Sequence, residues 1–109
     1  MKEIESLNDF QKIMEGDQPV LLDFYADWCG PCQTLLPIVE QLAVKHASDF
    51  VIAKVNVDKV PELSQKFNIR SIPSLFFIKN GEVKENILGL RTTQELDDKI
   101  HHYLAKTTL

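Results

Sequence analysis

Cys29 and Cys32, in the stretch ADWCGPCQ, are the only cysteines in the chain and are separated by Gly30 and Pro31 alone. Thiols at this spacing can crosslink a fold, supply half a metal site or act as a redox reagent. As a crosslink the pair is poor, because so short a loop restrains the unfolded chain by about 2 kcal/mol, against about 3 kcal/mol for fifteen residues. A closed zinc site needs four ligands. Beyond the cysteines the chain offers His46, His101 and His102, none at partner spacing and two of them adjacent. No metal is therefore expected, and the histidines read as solvated helix residues without a role. On a helix, Cα atoms three residues apart lie about 5 Å from each other, a separation that a disulfide accepts. The pair can open and close without moving the backbone, which is what a reagent requires.

The elements that must hold the pair follow from hydrophobic pattern and punctuation. Pro19 to Ala26, PVLLDFYA, is a nearly continuous apolar run, the pattern of a strand buried on both faces of a parallel sheet. After the cysteines, Leu35, Leu36, Ile38, Val39, Leu42 and Ala43 recur at helical spacing, and Pro37 should kink that helix by removing one backbone donor. The thiols thus sit where a buried strand passes into a helix. Unpaired N–H groups and the positive end of the macrodipole favour a thiolate in the first turn. Cys29 is the expected nucleophile. Cys32, one turn further in and more buried, is the expected resolving thiol, which attacks the mixed disulfide to release product. Gly30 lets a substrate backbone approach, while Pro31 removes a donor that would be orphaned and stiffens the turn.

Elsewhere, Ser6-Leu7-Asn8-Asp9 can cap a first helix carrying Leu7, Phe10, Ile13 and Met14, which Gly16-Asp17 ends. Phe50 to Val57 reads as a second strand, and Pro61 opens a short helix through Leu63 and Phe67. Leu75–Ile78 and Val83–Leu88 flank Lys79-Asn80-Gly81-Glu82, and Asn-Gly between such runs predicts an antiparallel hairpin. Thr92 with Glu95 makes a capping box for a last helix, with Leu96, Ile100, Tyr103 and Leu104 inward. The sum is an α/β architecture: a β-α-β half, then a hairpin and a closing helix, giving a mixed sheet with helices on both faces. All six phenylalanines read as core. Asp23, between Leu22 and Phe24 in the apolar run, costs free energy unless paired or protonated. Burial raises its pKa and makes it a usable proton acceptor near neutral pH, whereas a strand-end Asp in water would do nothing.

At 109 residues, 44% hydrophobic and 26% charged, the chain fits one domain over 1–109 with its own core. Twelve basic against sixteen acidic side chains leave a net charge of -4, which offers no footprint for nucleic acid or an anionic membrane. The start, MKEIESLND, lacks the apolar core of a signal peptide, and no stretch approaches a membrane span. A cytoplasmic location is expected, although an exported domain with an added initiator Met would read the same.

Over nearly its whole length the sequence resembles the thioredoxin family. The resemblance rests on LLDFYADWCGPC with its Asp, Pro37, Lys54 in IAKVNVD, Pro73 in IRSIPS, KNGEV, and Gly89 before the last helix. It implies the thioredoxin fold, a mixed sheet of about five strands flanked by about four helices. The implied activity is that of a protein-disulfide reductase, whose dithiol reduces disulfides in target proteins. No cofactor is bound, because an NADPH-dependent thioredoxin reductase recharges the dithiol, and a monomer is expected. The resemblance further implies that Pro73 is cis beside the dithiol, that Asp23 deprotonates Cys32, and that Lys54 modulates Asp23. Trp28, Ile72 and Gly89 become a partner surface, with the Ile72 backbone free to pair with an extended substrate segment.

Taken by its own residues, Lys54 reads equally as a solvated strand-end lysine. Trp28 could be core, though an indole beside Cys29 at a loop tip suits a flat substrate platform. Three positions depart from the family pattern and bear on partner choice: Tyr25 where Trp is frequent, Gln33 where Lys is common, and Leu90 where a small residue is usual. An oxidant or isomerase on the same fold, or a redox-independent binding module, are the alternatives. Uncharged Gly30, Pro31 and Gln33 add nothing to stabilise a thiolate, which favours the reductant.

Overall fold

The computed structural model describes residues 1–105. Among the described residues nine elements follow one another: β1 (Lys2–Ile4), α1 (Leu7–Met14), β2 (Val20–Tyr25), α2 (Gly30–Lys45), β3 (Val51–Asn56), α3 (Pro61–Lys66), β4 (Ser74–Lys79), β5 (Glu82–Leu88) and α4 (Thr93–Leu104). The strands form one sheet in the order β1-β3-β2-β4-β5. β1 and β2 both pair with β3 in parallel, while β4 pairs antiparallel with β2 and with β5. This is the mixed sheet the pattern calls for. β1 has no counterpart among the strands read from the pattern, because a three-residue edge strand with only Ile4 buried shows no period.

All six residues of β2 are buried, so the pleat sends alternate side chains into two cores. Val20, Leu22 and Phe24 join Val55, Phe76 and Ile78 against Phe10 of α1 and Leu63 of α3. Leu21 joins Ile52, Leu75, Phe77 and Ile87 against Leu35, Val39 and Leu42 of α2 and Leu96 and Ile100 of α4. Each such large apolar side chain contributes about 1.5–3 kcal/mol on burial. Five of the phenylalanines are buried. Phe67 is half-buried but packs edge-on between Phe10 and Phe76, with ring centroids at 5.6 and 4.9 Å.

Local chemistry supplies the ends. Ser6 Oγ accepts the Asp9 N–H at 3.1 Å and caps α1. In the capping box of α4, Thr92 Oγ1 accepts the Glu95 N–H at 3.1 Å and Glu95 Oε1 accepts the Thr92 N–H at 3.0 Å. Asn80 and Gly81 turn the β4–β5 hairpin with φ of 55° and 75°, the pair of left-handed conformations that an Asn-Gly turn supplies at low cost. α2 runs unbroken through Pro37, which deprives the Gln33 carbonyl of its helical donor. No helix among the described residues is long and apolar enough to cross a membrane.

Candidate active site

The buried strand β2 ends at Tyr25, and Ala26 to Trp28 carry the chain to the start of α2. Cys29 is the N-cap of that helix, with φ -89° and ψ 109°, and Pro31 lies within its first turn. Cys29 therefore sits one step earlier than a first-turn position. Its Sγ accepts the Cys32 N–H at 3.2 Å, so the sulfur already occupies the place where a helix start receives an anion. Cys29 and Cys32 are joined as a disulfide with Cα atoms 5.2 Å apart. Cys29 keeps 5% of its surface exposed and Cys32 none. Above Gly30 the space is open: an added Cβ there would meet nothing within 4 Å.

Two loops close around the pair. The Ile72–Pro73 bond is cis, and Cys29 Sγ lies 3.9 Å from the Ile72 carbonyl oxygen. Pro73's carbonyl in turn accepts the Gly89 N–H at 2.9 Å, and Gly89 adopts φ 85°, in the left-handed region that favours glycine. Cys29, Ile72, Pro73 and Gly89 thus meet at one end of the sheet. Trp28 is not core, being 72% exposed. Its Nε1 donates to Asp58 Oδ2 at 2.9 Å, and Asp58's own N–H is held by Asn56 Oδ1 at 2.9 Å. The role of Asp58 in pinning the indole escapes the sequence, because thirty residues separate the partners. Leu88 and Leu90 extend the exposed apolar surface on either side of Gly89.

Asp23 is fully buried, and neither carboxylate oxygen has a hydrogen-bond partner among the described residues. The register places it beside Lys54 of β3, and Lys54 beside Glu3 of β1. By the pleat, Asp23 and Lys54 share the sheet face of Leu21 and Ile52. Burial pushes the Asp23 carboxyl up to about 7, with the Lys54 charge pulling the other way. Lys54 is half-buried in mid-strand rather than solvated at a strand end. Its ammonium lies 3.7 Å from Glu3 Oε1 and 5.5 Å from the centroid of the Tyr25 ring. The Tyr25 hydroxyl donates to Glu3 Oε2 at 2.8 Å. Burial, followed by this bond, pushes the Tyr25 phenol well above its usual range.

One expectation fails. His46 is not a solvated helix residue: it caps the C-terminus of α2 with 5% exposure, and its Nε2 lies 2.7 Å from Asp97 Oδ1. A buried polar contact between two helices leaves no trace in hydrophobic spacing, which counts only apolar positions. His101 and His102 are exposed as expected.

The family model described as Thioredoxin matches residues 2–102, nearly the entire chain. The chain belongs to the thioredoxin family. It is 39% identical over 108 residues to a chloroplastic M-type thioredoxin of Spinacia oleracea, covering 96% of this chain but 60% of the spinach protein. A thioredoxin of Alicyclobacillus acidocaldarius is 40% identical over 92 residues, covering 84% of this chain and 88% of that protein. The structure of Plasmodium falciparum thioredoxin superposes with a TM-score of 0.86 at 34% identity, covering 94% of this chain and 99% of that one. The five-stranded mixed sheet with four helices is the thioredoxin fold. Thioredoxins are protein-disulfide reductases of the thiol–disulfide oxidoreductase class, and this chain carries their redox-active pair at Cys29 and Cys32.

Proposed function

We propose that the chain reduces disulfides in target proteins, with Cys29 as nucleophile and Cys32 as resolving thiol. The observation that carries the assignment is their inequality: Cys29 caps α2 with its sulfur at the helix start and 5% of its surface exposed, and Cys32 is wholly enclosed. In the reduced protein the Cys29 thiolate attacks one sulfur of the target disulfide, and the other sulfur leaves as a thiolate. Asp23 then takes the proton of Cys32, whose sulfur attacks Cys29, releasing the second target thiolate and closing the Cys29–Cys32 disulfide. Two electrons have passed to the target. A thioredoxin reductase drawing on NADPH returns them, so the chain itself holds no cofactor.

Asp23 suits the proton acceptor because its buried carboxyl titrates near neutrality, and Lys54 beside it is the modulator. Trp28, with the open space over Gly30 and Pro31, is the substrate platform. Ile72 offers backbone groups to an extended segment, and Pro73 and Gly89 hold that loop in place. The unit acts as a monomeric domain in a reducing compartment, the cytoplasm, and its net charge of -4 argues against nucleic acid or membranes as partners. Insulin reduction in the presence of a thioredoxin reductase and NADPH tests the proposal. Turnover should require both cysteines, whereas a double Cys→Ser variant that still supports the partner's function would mark a binding module instead.

A further inference from the structure

We infer that the junction of α2 and α4 is a binding site for a divalent late transition-metal ion, zinc first among them, formed by His46, Asp97 and His101. The three side chains come from the C-cap of one helix and from i, i+4 positions of the other, and their donor atoms all lie within 4.8 Å of one another. Two imidazoles and one carboxylate are a donor set that zinc, copper and nickel take readily and that magnesium and calcium do not. Four protein ligands are needed only for a closed zinc site. Three protein ligands with a water in the fourth position are enough for an open site.

The surroundings fit that use. Asp97 Oδ1 faces His46 Nε2 at 2.7 Å, while Lys45 Nζ holds the other oxygen at 3.0 Å. An ion would take the place of the proton that His46 and Asp97 share, leaving Lys45 on Oδ2. His46 Nδ1 lies 3.9 Å from Asp49 Oδ1, beyond hydrogen-bond reach but close enough for that carboxylate to close on the imidazole when Nε2 holds an ion. His101 lies 3.5 Å from Asp97 Oδ2 and must exchange its contact with the Asp97 carbonyl, at 3.0 Å, for the ion. Its side chain is 59% exposed, which leaves a route in from solvent and room for water. The site is at the far end of α2 from the dithiol, about 24 Å along a sixteen-residue helix, so occupancy should clamp α2 to α4 without touching the redox pair.

The test uses the full chain, stripped of metal and oxidised so that the thiols cannot bind zinc. Calorimetric titration with a zinc salt, paired with thermal denaturation, should give one ion per chain and a raised melting temperature. His101→Ala should weaken binding at least about tenfold. His102→Ala, at the neighbouring exposed position, should bind as the parent does. Because His101 is exposed, its variant should retain the parent's circular dichroism, and a loss of binding then reports the ligand. Absence of binding in the parent, equal affinity in His101→Ala and the parent, or equal weakening by both variants would overturn the inference.

Discussion

At the scale of single residues, chemistry follows from how differently like groups are surrounded. Cys29 and Cys32 are the same thiol in two settings, one at a helix cap and one sealed beneath it. Cys29→Ser should abolish disulfide reduction, and Cys32→Ser should still attack and stall as a mixed disulfide. Non-reducing gels and mass spectrometry of captured targets would read this, and equal capture by both variants would refute the assignment. Asp23 is the second case. Its unfolded pKa is about 3.9, and its folded value is about 7. The sign follows: below about pH 4 both states are protonated, and as pH rises toward 7 ionisation favours the unfolded chain. Stability should therefore fall across that window by about 4 kcal/mol and level off above it. Asp23→Ala should remove the slope, stabilising the oxidised protein on the order of 2–4 kcal/mol at about pH 8 while slowing turnover. Urea denaturation of both proteins at about pH 4 and 8 would check it, and parallel pH dependence would contradict it.

At the scale of elements, the three parallel strands align Glu3, Lys54 and Asp23 in one lateral row. Strands in a sheet are about 4.8 Å apart, so each charge acts directly on the next. Glu3 draws the Lys54 ammonium toward the edge and away from the carboxylate that would otherwise have all of it. Glu3→Gln should accordingly lower the Asp23 pKa from about 7, by roughly half a unit given the partial exposure of the pair. Lys54→Gln should raise it. Carboxyl NMR titration of the oxidised protein is the measurement, and an Asp23 unmoved by Glu3→Gln would show that the row is not coupled. Half of this device was legible in the sequence, since Asp23 stands out as a charge within an apolar strand, while Lys54 read equally as a solvated strand-end lysine and was tied to Asp23 only by the family resemblance. Glu3 was not, because β1 is too short to announce itself and the row exists only once three strands are in register.

At the scale of the whole molecule, the direction of electron flow depends on what stabilises the thiolate. A strong oxidant over-stabilises its thiolate and so favours its own reduced form. Around Cys29 the helix terminus acts mainly alone: Gly30 and Pro31 are uncharged, and Gln33 is turned to the Ala26 carbonyl at 3.2 Å. The reduction potential should lie nearer the value of about −270 mV that is characteristic of thioredoxin itself than the value of about −120 mV of a strongly oxidising periplasmic relative, two reference points roughly 7 kcal/mol apart for two electrons. Equilibration against glutathione, followed by Trp28 fluorescence, measures it. A value above about −180 mV would move the protein to the oxidants and isomerases.

Local chemistry was determined by the sequence alone wherever it depends on residues close along the chain. The Cys-Gly-Pro-Cys turn, the Asn-Gly hairpin, the Thr92–Glu95 capping box and the twice-buried β2 all belong here, because each needs only neighbours within one turn or one strand. Tertiary structure decided whatever depends on a partner far along the chain. Asp58 reaches Trp28, Glu3 reaches Tyr25 and Lys54, Gly89 reaches Pro73, and His46 is buried against Asp97. The reason is physical: a polar side chain tolerates burial or exposure according to whether a partner arrives, and only packing of sheet and helices brings that partner within 3 Å or so.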